Sequence, residues 1–166
     1  MELLTKRLKL IPFDRNDLDF LHQTFTDPFV RKYLWDDEII PRELAQEILG
    51  TNHAHFEKSG WGLWKVILKE SKEFIGFAGL WLFFEEQQPQ LLYGLLQAFT
   101  GKGYATEASN AVVDYSFGLL GFHNLTASFD AGHQPSEKVC RRLGMKKIKE
   151  EVVNGKPTVF YRLDKS

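Results

Sequence analysis

The chain has 166 residues, 21 basic against 22 acidic, with 43% hydrophobic content, 26% charged residues and one cysteine. That length suits one domain over 1–166, and the apolar and charged fractions exclude a disordered or collagen-like chain. A net charge of −1 gives no footprint for nucleic acid or an anionic membrane, and the lone Cys140 excludes a disulfide framework.

Further exclusions are local. The longest uncharged apolar run, Phe74 to Phe84, is too short to span a bilayer. The opening MELLTKRLKLIPF carries no signal-peptide core, so a cytoplasmic protein is expected.

Residues 3–11 alternate as a strand. Asp14 then caps a helix with Leu18, Leu21 and Phe25 on one face, and Asp27-Pro28 reads as a second N-cap and first-turn proline. Pro41 opens a third helix over 41–57. The middle changes period: 61–69 and 74–83 are strand-like around a turn at Glu70-Ser71-Lys72, 85–90 is a polar turn, and 91–97 is a third strand of an antiparallel meander.

Apolar residues Tyr104, Ala108, Ala111, Val112, Tyr115 and Leu119 then fall on one helical face. A strand over 124–130 and a short helix over 135–143 follow, the latter stopped by Gly144. Strands 145–153 and 157–163 flank Asn154-Gly155, a two-residue hairpin signal. The order is β-ααα-βββ-α-β-α-ββ, a mixed α/β fold with a largely antiparallel sheet, in which the strand–helix–strand unit over 91–130 should be parallel.

Chemistry concentrates at Thr100-Gly101-Lys102-Gly103-Tyr104-Ala105-Thr106, between a strand and the strongest helix. Glycines there let backbone amides approach an anion, and the helix N-terminus adds partial positive charge, so the segment is either a pyrophosphate cradle or a plain tight turn. Gly103 after Gly101-Lys102 breaks a Walker A loop, and Thr106 breaks a Rossmann fingerprint.

Three stretches together resemble the GNAT (GCN5-related N-acetyltransferase) superfamily, in its ribosomal-protein N-terminal acetyltransferase branch: LTKRLKLIPFDRNDLDFLHQTFTDPFVRKYL (4–34), QLLYGLLQAFTGKGYATEA (90–108) and HQPSEKVCRRLGM (133–145). The resemblance implies a GNAT-type twisted sheet in which parallel strands 91–97 and 124–130 splay into a V that holds acetyl-CoA. It implies pantetheine paired along Leu95, Leu96 and Gln97, and pyrophosphate on the amides of Gly101, Lys102, Gly103, Tyr104, Ala105 and Thr106. His133 and Ser136 would touch the cofactor and are the catalytic candidates. The implied reaction is direct attack of a primary amine, such as a peptide N-terminus, on the acetyl thioester.

Several residues depart from that pattern. Gln90 stands where a strand Glu often serves as base, His133 where Asn usually contacts the cofactor, and Cys140 where some relatives carry Tyr. Substitute bases are His133, Asp130, Glu85 and Glu86. Cys140 lies on the inward stripe with Val139 and Leu143 and reads as a core thiol. Glu107 reads as structural, within the first helical turn.

His22, His53, His55 and His123 lack ligand spacing, so no metal is expected. Trp35 is the candidate wall of the acceptor site. An edge strand at the C-terminal hairpin would permit a homodimer. The rival readings are a catalytically weak CoA-binding sensor or structural module, and a dinucleotide-binding protein.

Overall fold

The computed structural model describes residues 1–83 and 86–166; Glu85, and with it part of the expected 85–90 turn, lies outside them. The expected first strand divides into β1 (Leu3–Leu4) and β2 (Leu8–Pro12). The break falls at Thr5–Arg7, where Thr5 Oγ1 takes the Leu8 amide and both Thr5 and Arg7 turn toward Glu107.

Asp14 and Asp17 form a reciprocal capping box on a 3-10 turn that runs into α1 (Leu18–Thr26). Asp27 accepts from the amides of Phe29 and Val30, which with Pro28 in the first turn starts α2 (Pro28–Leu34). Helix α3 (Arg42–Ser59) ends on Gly60, whose φ of +77° is the left-handed cap that stops a helix.

The meander is β3 (Leu63–Leu68), β4 (Phe74–Trp81) and β5 (Gln90–Leu95). With β1 and β2 it makes a five-stranded antiparallel sheet in the order β1-β2-β3-β4-β5. Helix α4 (Tyr104–Gly118) crosses to β6 (Asn124–Asp130), and α5 (Gln134–Arg142) leads to the hairpin β7 (Lys146–Val153) and β8 (Lys156–Asp164). Asn154 and Gly155 both have positive φ, as a two-residue hairpin turn requires. The last three strands form a second antiparallel sheet, β6-β8-β7.

Apolar side chains fill both faces of the larger sheet. On one, Phe13, Leu63 and Phe77 meet Leu21, Phe25, Ala45 and Leu49 of α1 and α3. On the other, Leu8, Trp64, Val66 and Leu80 meet Val112 and Tyr115 of α4, and Leu125, Ala127 and Tyr161 of the smaller sheet join them. Fully burying one such side chain contributes about 1.5–3 kcal/mol. Buried Asn52 ties α3 to β3, its side chain bonding the Leu63 amide at 2.7 Å and the Leu63 carbonyl at 3.3 Å.

The feature that positions the site is the seam between the sheets. Among the described residues no ladder joins β5 to β6; side chains bridge them instead, Gln88 to the Asn124 carbonyl and Ser128 to Gln90. These bridges pair the start of β5 with β6 in ascending order, so the strands run the same way and part beyond them.

Candidate functional site

The parting strands open a cleft of about 530 Å³. Its floor is Leu91–Leu95 of β5 facing Ala127–Phe129 of β6; one end is the loop from Thr100 to Thr106, and Phe29, Val30, Tyr33 and Leu34 of α2 wall the other side. The Leu96 amide donates to Ile75 of β4 at 2.9 Å, and successive amides of a strand face opposite ways, so the Leu95 amide faces the open edge.

Strand β5 ends at Leu95, two residues earlier than expected, because Gln97–Phe99 turn as a 3-10 helix. Leu95 lines the cleft, whereas Leu96 and Gln97 do not, and the Gln97 amide is aimed at Asp27 Oδ1 at 3.5 Å.

The loop has the geometry of an anion cradle. Gly101 and Gly103 hold φ of +79° and +83°, where a side chain would be strained. Glu107 is the first residue of α4 whose amide meets a helical carbonyl, that of Gly103; the amides of Tyr104, Ala105 and Thr106 precede it at the helix's positive end. Thr106 Oγ1 is buried without a partner among the described residues. A Cβ at Gly101 would meet no atom of the described residues within 4 Å, so the space over the loop is open to a ligand. Gly101, Gly103, Tyr104, Ala105 and Thr106 line the cleft; Lys102 does not, and its carbonyl accepts from Arg7 Nη1 instead.

Arg7 is the clamp behind this loop. It bonds Glu107 through its amide at 2.9 Å and through Nε at 2.8 Å, and its guanidinium covers the Tyr104 ring at 4.4 Å. Burial pushes the Glu107 carboxyl up, but the hydrogen bonds from Thr5 and Arg7 outweigh it and hold the group below the usual carboxylate range. Glu107 thus anchors the cradle to the β1–β2 turn.

His133 and Ser136 both line the cleft. The His133 ring lies on Tyr33 at 3.6 Å between centroids, with Phe29 and Phe129 around it, and 8% of the residue is exposed. Neither ring nitrogen has a hydrogen-bond partner among the described residues. Burial, with the Lys32 charge adding to it, lowers the ring's pKa to about 4, so it is neutral near pH 7.

Gln90 is buried between Glu86 and Ser128, accepting from the Ser128 hydroxyl at 2.7 Å. Asp130 pairs instead with Lys156, which also reaches Asp36 beyond α2 and so bridges the two walls. Trp35 lines a separate cavity of about 220 Å³.

Tyr93, Lys138 and Arg142 are among the cleft residues that the sequence did not single out. Tyr93 projects from mid-β5, its hydroxyl donating to the Ser136 carbonyl at 3.3 Å. Burial, with Cys140 beside it, pushes this phenol far above its ordinary range, and burial pushes the Cys140 thiol up to about 12. Lys138 and Arg142 add cations from α5; their four-residue spacing put them on one helical face, a signal available in the sequence.

A cleft between unpaired parallel strands, closed by an amide cradle, agrees with the family evidence. The acetyltransferase (GNAT) domain family matches residues 7–146. The chain belongs to the GNAT acetyltransferase family. A GNAT relative, the uncharacterized N-acetyltransferase p20 of Bacillus licheniformis, is 31% identical over 150 residues, 87% of this chain and 82% of its own.

Solved GNAT structures share the fold. The acetyltransferase from Agrobacterium tumefaciens superposes with TM-score 0.85 at 22% identity, over 99% of this chain and 95% of its own. RimL, a ribosomal L7/L12 α-N-protein acetyltransferase solved with coenzyme A, superposes with TM-score 0.81 at 16% identity, over 99% of this chain and 98% of its own. Among the described residues, no group of three or more His, Cys, Asp or Glu could hold a metal ion, and no helix is long and apolar enough to cross a membrane.

Proposed function

We propose that this GNAT N-acetyltransferase uses acetyl-CoA to acetylate a primary amine, in particular an α-amine such as a peptide N-terminus, in a ternary complex. The observation that carries the reading is the β5–β6 cleft ending on unpaired loop amides. Bound acetyl-CoA supplies a thioester whose C–S bond breaks as the amine nitrogen bonds the acetyl carbon, leaving an amide and a thiol.

The amides of Gly101 and of Gly103 to Thr106 hold the pyrophosphate, and Lys138 and Arg142 bring positive charge to the same cleft. The Leu95 amide donates along the open edge of β5, where it polarises the acetyl carbonyl. His133 offers its two unpartnered nitrogens as contacts to the bound molecule. So weak a base draws little proton from an ammonium group, so the ring binds rather than deprotonates. Tyr93 and Ser136 are the cleft hydroxyls that hydrogen-bond the leaving thiolate, which takes up the proton shed by the attacking amine.

What the cleft lacks supports this acceptor class. No carboxylate lines it among the described residues, and Gln90 cannot accept a proton near neutrality. A lysine side chain with pKa ~10.4 is then harder to use than an α-amine near ~8, by roughly 3 kcal/mol.

Calorimetric titration with acetyl-CoA, CoA and NAD, followed by thiol release with an α-amine peptide and an N-blocked lysine peptide, tests the reading. Acetyl-CoA binding with faster α-amine turnover supports it. Faster lysine turnover overturns the acceptor class, binding without turnover leaves a CoA-binding module, and preference for NAD removes the reading altogether.

A further inference from the structure

The cavity at Trp35 lies on the helical face of the larger sheet, among Phe25, Leu44, Ile48, Leu63 and Trp81. Leu34 and Leu92 line both this cavity and the cleft, so the two spaces adjoin at the middle of β5. Its volume of about 220 Å³ is several times the ~30 Å³ share of one water, and its named lining is entirely aliphatic and aromatic. Trp35, Leu44, Ile48 and Trp81 around it are only half-buried, so the space opens to the surface and a molecule from outside can enter it. Trp35 itself carries a polar atom: its indole Nε1 is buried and has no hydrogen-bond partner among the described residues. A donor left in that state is costly unless something bonds it.

We propose that this cavity receives the side chain of the acceptor, and that the acceptor is an α-amine bearing a large aliphatic or aromatic side chain beside a carbonyl. The amine stands at the junction of Leu34 and Leu92, next to the thioester end of the cleft. Its side chain fills the cavity, and its carbonyl accepts from Trp35 Nε1. An elongated acyl chain could also fill an apolar space, but it brings no oxygen for the indole N–H; an aminoacyl group brings both. The inference rests on the acetyl-CoA reading above and narrows its acceptor.

The test measures kcat/KM for phenylalanine, leucine, alanine and lysine amides and for phenethylamine with acetyl-CoA, on wild type and on Leu44→Trp and Trp35→Phe. Leucine and phenylalanine amides are expected to exceed alanine amide at least about tenfold. Leu44→Trp, which fills the cavity, should collapse that preference. Trp35→Phe should narrow the advantage of phenylalanine amide over phenethylamine, which lacks the carbonyl, by about tenfold.

Acetyl-CoA titration of every protein reports whether the cleft is folded, and Ile48→Phe replaces Leu44→Trp if that variant fails to bind. Wild type that binds acetyl-CoA but prefers alanine or lysine amide, or shows no preference, overturns this pocket alone. Faster turnover of hexanoyl-CoA than acetyl-CoA, abolished by Leu44→Trp, overturns it in favour of an acyl pocket. Absence of acetyl-CoA binding overturns both readings.

Discussion

Replacing Gly101 with alanine separates backbone strain from ligand contact. At φ +79° the alanine lies in the left-handed region, which costs about 1–2 kcal/mol. For a chain of this length that corresponds to a fall in Tm of about 2–8 °C. The added methyl meets no atom of the described residues within 4 Å, so they give no further reason for damage. Gly155, at φ +80° in the β7–β8 turn and equally free of neighbours, supplies the matched control.

Both variants should therefore lose similar stability by thermal denaturation. Only Gly101→Ala should lose acetyl-CoA affinity in calorimetry. Displacing one amide from a charged oxygen removes about 1.5–3 kcal/mol, or about tenfold to hundredfold in Kd. Equal affinities in the two variants would refute the cradle, because the strain is shared and the ligand contact is not.

Protonation of His133 should couple to stability. Its folded pKa of about 4 lies below the ordinary 6.5, so the unfolded chain binds the extra proton as pH falls from 6.5 toward 4. Wild type should then lose about 2 kcal/mol more than His133→Asn between pH 7 and pH 4.5 in urea unfolding, with the difference levelling below pH 4; parallel curves would remove this linkage. Cys140, buried with its thiol raised to about 12, should resist thiol reagents at pH 8 until the protein unfolds, and Cys140→Ala should keep its turnover. Rapid labelling of the native protein would contradict that burial. Tyr93→Phe should reduce turnover at least about tenfold while acetyl-CoA affinity persists; unchanged turnover would exclude the phenol as a hydrogen-bond partner of the leaving thiolate.

The elements legible in the sequence were those specified by neighbouring residues. Asp27 and Pro28 announce α2 because both act within one helical turn. The Asn154-Gly155 turn and the strand over 124–130 are local in the same way. The loop glycines were readable because positive φ is a property of a single residue.

What escaped the reading depends on distant partners. Thr5 and Arg7 leave the first strand to bond Glu107, 102 and 100 residues away, and alternation alone gives no hint of that. Tyr93 reads as one more apolar strand residue until α5 brings the Ser136 carbonyl to its hydroxyl. Trp35 is an acceptor candidate in the sequence, but the cavity beside it is assembled from α1, α2, α3 and three strands, which periodicity cannot combine.

The unladdered edge of β5 has a consequence for how the protein behaves in company. A strand with idle amides and carbonyls invites a second chain to add to it, and in an exposed sheet that is a route to aggregation. Here the idle edge faces inward, with β6 opposite and α2 and α5 at its sides. A folded neighbour is too thick to enter, while a single extended molecule fits. The same walls thus protect the protein from its own stickiness and select slender partners by thickness before any specific contact forms.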